Sequence, residues 1–224
     1  MRSFVVYSAL TLASLPTAAL ADVTVGTPTG INCFPFTCSG GNHYQQVFAA
    51  SDFTSALQIQ GLQFKSSTTY PVLSVSGGTF SIRLSTTSAA VDALSGTYAN
   101  NIGSDNALLF SGTLASSFDG TYLRINFTGP FNYDPGLGNL LLDITTVGQT
   151  TGSGYFESMN GDAAGRFSRM QNYGLENARW GLVTTFLTGA TPAVPEPASW
   201  ALLIGGFAAV GVAMRRAAAH RAFA

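Results

Sequence analysis

The chain has 224 residues, a formal net charge of −1 and only 9% Asp, Glu, Lys and Arg, against about 25% in a typical soluble protein. That length suits one domain better than two small ones. Between Asp22 and Val194 there are ten acids and six bases, a net of −4; with no basic stripe this excludes nucleic acid as a partner, because phosphate binding depends on clustered Lys and Arg.

The chain opens with a cationic Arg2, an apolar run over 4–15 and small residues at Ala19 and Ala21. This is the layout of a secretory signal peptide spanning 1–21 and cleaved after Ala21. Pro16 and the small-residue site fit a buried N-terminal helix poorly. Next come Cys33 and Cys38, the two cysteines of the chain, separated by FPFT. In an exported protein a disulfide is the default state for such a pair. It should pin the N-terminal segment ahead of the first long strand, and its small loop limits its stabilisation to at most about 3 kcal/mol.

From His43 onward, period-two alternation dominates. LQIQ at 57–60, TFSIRLS at 79–85, TYLRINF at 121–127 and NLLLDITTV at 139–147 each send apolar side chains one way and polar ones mostly the other. This pattern marks half-buried antiparallel strands. HYQQVFA, ALLFSGTL, GYFES, RFSRMQN and RWGLVTTFL add further strands, and SGG at 76–78, FDG at 118–120 and YDPGLGN at 133–139 supply turns. SAAVDAL at 88–94 is the one segment that suggests a short helix, with Ser88 as its cap. The predicted fold is an all-β, antiparallel, jelly-roll-like β-sandwich over 22–187.

A Pro-, Gly-, Ala- and Thr-rich linker over 188–194 leads to the tail. Residues 198–214 carry no charge, at the short limit for spanning a hydrocarbon core of roughly 30 Å. Pro197 suits a first helical turn, and Glu196 places negative charge near the positive end of the helix dipole. Arg215 and Arg216 end the span and begin a basic tail over 215–224. Basic residues favour the cytoplasmic side, so Pro195, Glu196 and Pro197 would lie outside, in agreement with an exported N-terminus. Gly205, Ala209 and Ala213 would share one helix face, as a docking face or as a by-product of an Ala- and Gly-rich span.

Pro195-Glu196-Pro197, an apolar span and terminal arginines resemble the PEP-CTERM sorting signal of Gram-negative bacteria. The stretch AAAHRAFA beyond the arginines is longer than that signal's usual basic end. The resemblance implies a substrate of exosortase, a membrane processing enzyme. It implies transient residence in the inner membrane and then delivery to the cell surface or an exopolysaccharide matrix. YQQVFAASDF, LSTTSAAVDALSGTYANNIGSD and FNYDPGLGNLLLDI also resemble the bodies of PEP-CTERM proteins of unassigned function. That likeness implies a shared sandwich and no activity.

Signals for chemistry are sparse. His43 is the sole histidine between the two addresses, and no G-x-S-x-G accompanies it, GSG at 152–154 being too short. It reads as a side chain at the start of a strand. Asp134, Asp143, Glu157, Asp162 and Glu176 are scattered over turns and outward strand faces, so no carboxylate pair for glycoside hydrolysis is evident. Cys33, Cys38 and His43 make an incomplete metal set. NIGSDN at 101–106 and NGD at 160–162 offer too few carboxylates for a calcium loop and read as turns. No catalytic residue, metal or cofactor is expected. Tyr155, Tyr173 and Trp180 sit among polar neighbours and could stack on sugar rings, although Trp180 reads more readily as a core residue of a terminal strand. The leading expectation is a structural or adhesive matrix protein. The rival is a carbohydrate-binding module recognising exopolysaccharide, and a secreted hydrolase comes third.

Overall fold

A computed structural model describes residues 21–39, 42–161, 164–171 and 179–188, together with Phe207. The body lies within Leu20–Gly189; the chain's other unit, Met1–Ala19 with Ala190–Ala224, is outside the described residues apart from Phe207. The strands in chain order are β1 Val23–Val25, β2 Gly30–Asn32, β3 His43–Phe48, β4 Leu57–Lys65, β5 Thr79–Thr87 and β6 Ala107–Gly112. They continue as β7 Tyr122–Tyr133, β8 Asn139–Val147, β9 Phe156–Met159, β10 Phe167–Gln171, β11 Gly181–Leu182 and β12 Thr184–Thr188.

All pairings are antiparallel, in three sheets ordered β1-β12-β4-β7, β10-β3-β8-β5-β6 and β11-β9-β2. Alternation within each strand drives the two larger sheets together, because each has one apolar face that must leave water. Leu57, Ile59, Leu62 and Phe64 of β4 and Leu123, Ile125, Phe131 and Tyr133 of β7 form one inner face. Tyr44 and Phe48 of β3, Phe80, Ile82 and Leu84 of β5, and Leu140, Leu142 and Ile144 of β8 form the other. All belong to one buried cluster, the core of a β-sandwich-like body.

β7 is one long strand running through FTGPFNY, interrupted where Asn126 and Phe131 face Gly61 and Ile59 of β4. Gly61 is needed there, since a Cβ at that position would lie 2.6 Å from the Ile125 carbonyl oxygen. The expected turns form. At 118–120 the N–H groups of Thr121 and Tyr122 donate to Asp119 Oδ1 at 2.8 and 2.7 Å, which holds its carboxyl below the usual range. In YDPGLGN, Asp134 accepts from Gly136 N at 2.9 Å and opens a single 3-10 turn, Pro135–Leu137.

Cys33 and Cys38 are disulfide-bonded. Their loop seats Phe36, wholly buried, with ring centroids 4.9 Å from Phe64 and 5.5 Å from Phe156. The crosslink therefore holds a core side chain in place besides tethering the N-terminal segment.

The short helix expected over 88–94 does not form. So short a segment nucleates poorly in isolation, and here competing contacts take it over. Asp92 adopts φ +65°, its N–H donates to Ser168 Oγ at 2.8 Å, and its carboxylate binds Arg179 at 2.5 Å. Ser88 makes no cap; Thr87 Oγ1 instead accepts from Ala89 N at 3.0 Å. The segment lies over the outer face of β3 and β8, where Leu94 joins Val47, Leu141 and Met170 in a second buried cluster flanked by Ala89, Val91, Tyr98 and Ile102.

Candidate functional site

Under that cover His43 and Asp143 meet. His43 pairs across the strands with Thr145, two residue pairs along from Gln45 and Asp143 and so on the same face. His43 Nε2 donates to Asp143 Oδ1 at 2.6 Å, and Gln45 Nε2 donates to the same oxygen at 3.1 Å. Tyr98 stacks on the imidazole with centroids 3.6 Å apart and planes 12° from parallel. Burial, then the Asp143 charge, pushes the Tyr98 phenol upward.

Buried Asn101 extends the network: it donates to Gln45 Oε1 at 2.8 Å and to Ser95 O at 3.0 Å, and accepts from Ser95 N at 2.7 Å. His43 does stand at the start of β3, as its sequence position indicates. Asp143 does take the outward strand face that its alternation indicates, but it is buried and paired there, because 88–103 lies over that face. Sequence spacing gave no hint of this, because the two residues are 100 apart and the element that buries them has no periodic signature.

The arrangement resembles half of a catalytic triad, so the missing half matters. A nucleophile would have to hydrogen-bond the other ring nitrogen. Among the described residues no hydroxyl does so. The groups around the pair hold 88–103 against the sheet: Gln45 Nε2 donates to Tyr98 O at 3.2 Å and Tyr98 Oη to His43 O at 3.3 Å. Of the other acids, Glu157 accepts from Lys65 Nζ at 2.8 Å, and Asp162 and Glu176 lie outside the described residues. Asp22 and Asp52 line one cleft of about 380 Å³, but Asp22 Oδ1 already accepts from Thr188 N at 2.9 Å. Among the described residues no group of three or more His, Cys, Asp or Glu is placed to hold a metal ion.

Among the described residues, the candidate sugar-stacking side chains Tyr155 and Trp180 have different partners. Tyr155 precedes β9 and pairs edge to face with Tyr70, ring centroids 5.8 Å apart. Trp180 precedes β11 and is 39% exposed, with the Arg169 guanidinium 5.9 Å from its ring centroid. Its reading as a core residue is therefore corrected. Gly181 packs so closely on Gln46 and Phe167 that the chain leaves its neighbour Trp180 at the rim. Tyr173 lies outside the described residues. Tyr70, which sequence reasoning passed over, is the more exposed ring of the Tyr70–Tyr155 pair.

Beyond β12 the tail carries its own signature. Residues 193–217 match the PEP-CTERM protein-sorting motif, which takes in Pro195, Glu196, Pro197, Arg215 and Arg216. The chain carries a PEP-CTERM sorting motif. That makes it an exported protein sorted through exosortase, the membrane enzyme that processes such tails. No curated protein and no solved structure matches the chain.

Apart from Phe207, the motif, the expected span over 198–214 and the expected signal-peptidase residue Ala19 lie outside the described residues, while Ala21 is exposed two positions before β1. Among the described residues no helix is long and apolar enough to cross a membrane.

Proposed function

We propose that the protein is a structural or adhesive component of the cell surface or extracellular matrix, associated with exopolysaccharide and without enzymatic activity. The observation that carries this reading is the PEP-CTERM motif at 193–217, joined to an all-β body. In the same reading the sandwich is jelly-roll-like, and residues 1–21 are a signal peptide removed after Ala21. Residues 198–214 then hold the chain in the inner membrane until exosortase acts near Pro195, Glu196 and Pro197. The His43–Asp143 pair fits this reading as part of the network that fastens 88–103 to the sheet.

The exposed Tyr70–Tyr155 pair favours the rival reading, a carbohydrate-binding module. Intact mass of the protein from native cells, split into membrane, matrix and medium fractions, tests the proposal. The expected species begins at Asp22, ends within 195–197 and resides in matrix or medium. A species that keeps Arg215 and Arg216 and stays in the inner membrane would overturn it.

A further inference from the structure

Where the chain leaves β4, segments 70–78 and 147–155 run side by side as an irregular ribbon. Tyr155 N donates to Tyr70 O at 3.0 Å, Leu73 N to Ser153 O at 3.2 Å and Thr151 N to Ser76 O at 2.8 Å. The GSG at 152–154 makes this approach possible. A Cβ on Gly154, which has φ +90°, would lie 2.2 Å from the Pro71 carbonyl oxygen, and one on Gly152 would lie 2.7 Å from that of Ser74. The disulfide loop braces the ribbon from behind: Thr37 Oγ1 donates to Gly154 O at 2.7 Å, and Thr150 Oγ1 to Cys38 O at 2.6 Å.

This ribbon exposes four large apolar side chains: Tyr70 at 57%, Leu73 at 80% and Tyr155 at 37%, with Val147 at 78% at its far end, opposite Thr79. Burying such groups is favourable, and a contiguous exposed set marks a contact surface. What surrounds them decides what they contact. Residues 66–82 and 144–156 contain no Asp, Glu, Lys, Arg or His, the flanking Lys65 and Glu157 are paired with each other at 2.8 Å, and Thr68, Thr69, Ser74, Thr151 and Ser153 are exposed along the ribbon. A charged polymer would find no counter-charge there. A sugar ring offers a C–H face to an aromatic ring and hydroxyls to Ser and Thr, and a pre-ordered platform adds little ordering cost on binding.

We propose that this ribbon binds an uncharged polysaccharide, with Tyr70 and Tyr155 stacking on sugar rings and Leu73 extending the contact. The inference rests on the exopolysaccharide association proposed above and assigns it a surface. The test is native affinity electrophoresis of the full chain in mild detergent, in gels carrying dextran, soluble β-1,3-glucan, galactomannan or anionic alginate. Retardation by at least one neutral polymer is expected, weakened tenfold or more in Tyr70→Ala and in the Tyr70→Ala/Tyr155→Ala variant. Leu137→Ser, which alters an exposed apolar residue elsewhere, should leave it unchanged, as should 0.5 M NaCl.

No retardation by any neutral polymer, retardation only by alginate, or equal retardation of both tyrosine variants would each overturn the site. So would a Tyr70-dependent dimer in sedimentation, which would make the ribbon a self-association surface. Co-fractionation with the native matrix separates the two proposals. If the tyrosine variants still co-fractionate as wild type does, the association stands and the ribbon fails; if wild type does not, the association itself fails.

Discussion

The outer faces of the two large sheets have opposite fates. On the four-stranded sheet Gln58, Gln60, Arg124, Asn126 and Asn132 stand exposed in water. On the five-stranded sheet Val47, Leu141, Asp143 and Met170 face outward from the core and are nonetheless buried, because 88–103 lies over them. Strict alternation suffices for a sheet with one wet face. A strand covered on both sides needs apolar residues at both parities, and NLLLDITTV has them in Leu140, Leu141 and Leu142. The cover also changes what a polar residue costs. Asp143 under it must be paired, whereas Gln60 on the open face is served by solvent.

Truncation on the covered face should have the largest effect. Leu141→Ala removes a wholly buried side chain between sheet and cover. A loss of 2–5 kcal/mol is the usual range for such a change, measured as a shift in the urea midpoint at constant slope. A loss under ~0.5 kcal/mol would mean that 88–103 does not rest on the sheet in solution.

Next is Asn101→Ala. It deletes three hydrogen bonds and leaves Gln45 Oε1 and Ser95 N without that partner in a buried setting. About 1–3 kcal/mol is expected for a buried group so stranded. Amide exchange should quicken over 88–103 more than in the core strands, since the cover would open locally before the sandwich does.

Those contrasts also locate what the sequence could convey. The alternation in β4, β5 and β7 and the turn chemistry of Asp119 and Asp134 are local properties, so the all-β antiparallel body could be read directly. The disulfide followed from compartment and cysteine count. The cover could not be read, because SAAVDAL carries weak helical propensity and its conformation is set by distant partners, Ser168 and Arg179. The His43–Asp143 pair escaped for the same reason, being a product of strand register. β1 and β2, three residues each, are too short to show a period. Trp180 was read as core from its strand-like surroundings, but the close packing of Gly181 decides its place. Tyr155 was noticed from its composition; its partner Tyr70 is supplied by the ribbon.

Alkaline titration gives a smaller effect that separates cover from core. Burial pushes the phenols of Tyr98 and Tyr133 upward, with Asp143 adding to the first and Asp134 and Asp52 to the second. A raised folded pKa means the folded chain holds its proton longer than the unfolded chain does. The associated stability is therefore full below the ordinary tyrosine value of 10.0 and is lost as pH rises through the folded values. The melting temperature should fall above pH 10, and less steeply in Tyr133→Phe, where the more strongly shifted group is gone. Tyr98→Phe should reduce the fall by a smaller amount. Unchanged slopes in both variants would remove tyrosine ionisation as the cause.

The open face should respond least. Gln60 is exposed on β4, so Gln60→Ala should alter stability by no more than ~0.5 kcal/mol, the range for surface positions without a special role. Paired with Leu141→Ala in the same urea series, it compares two outward-pointing residues whose difference is the presence of a cover. If Gln60→Ala proves as costly as Leu141→Ala, the four-stranded sheet also has something lying on it in solution, and the asymmetry between the two faces disappears. If it is silent, that face is free surface, and its Gln and Asn residues serve solubility in a chain with few charges.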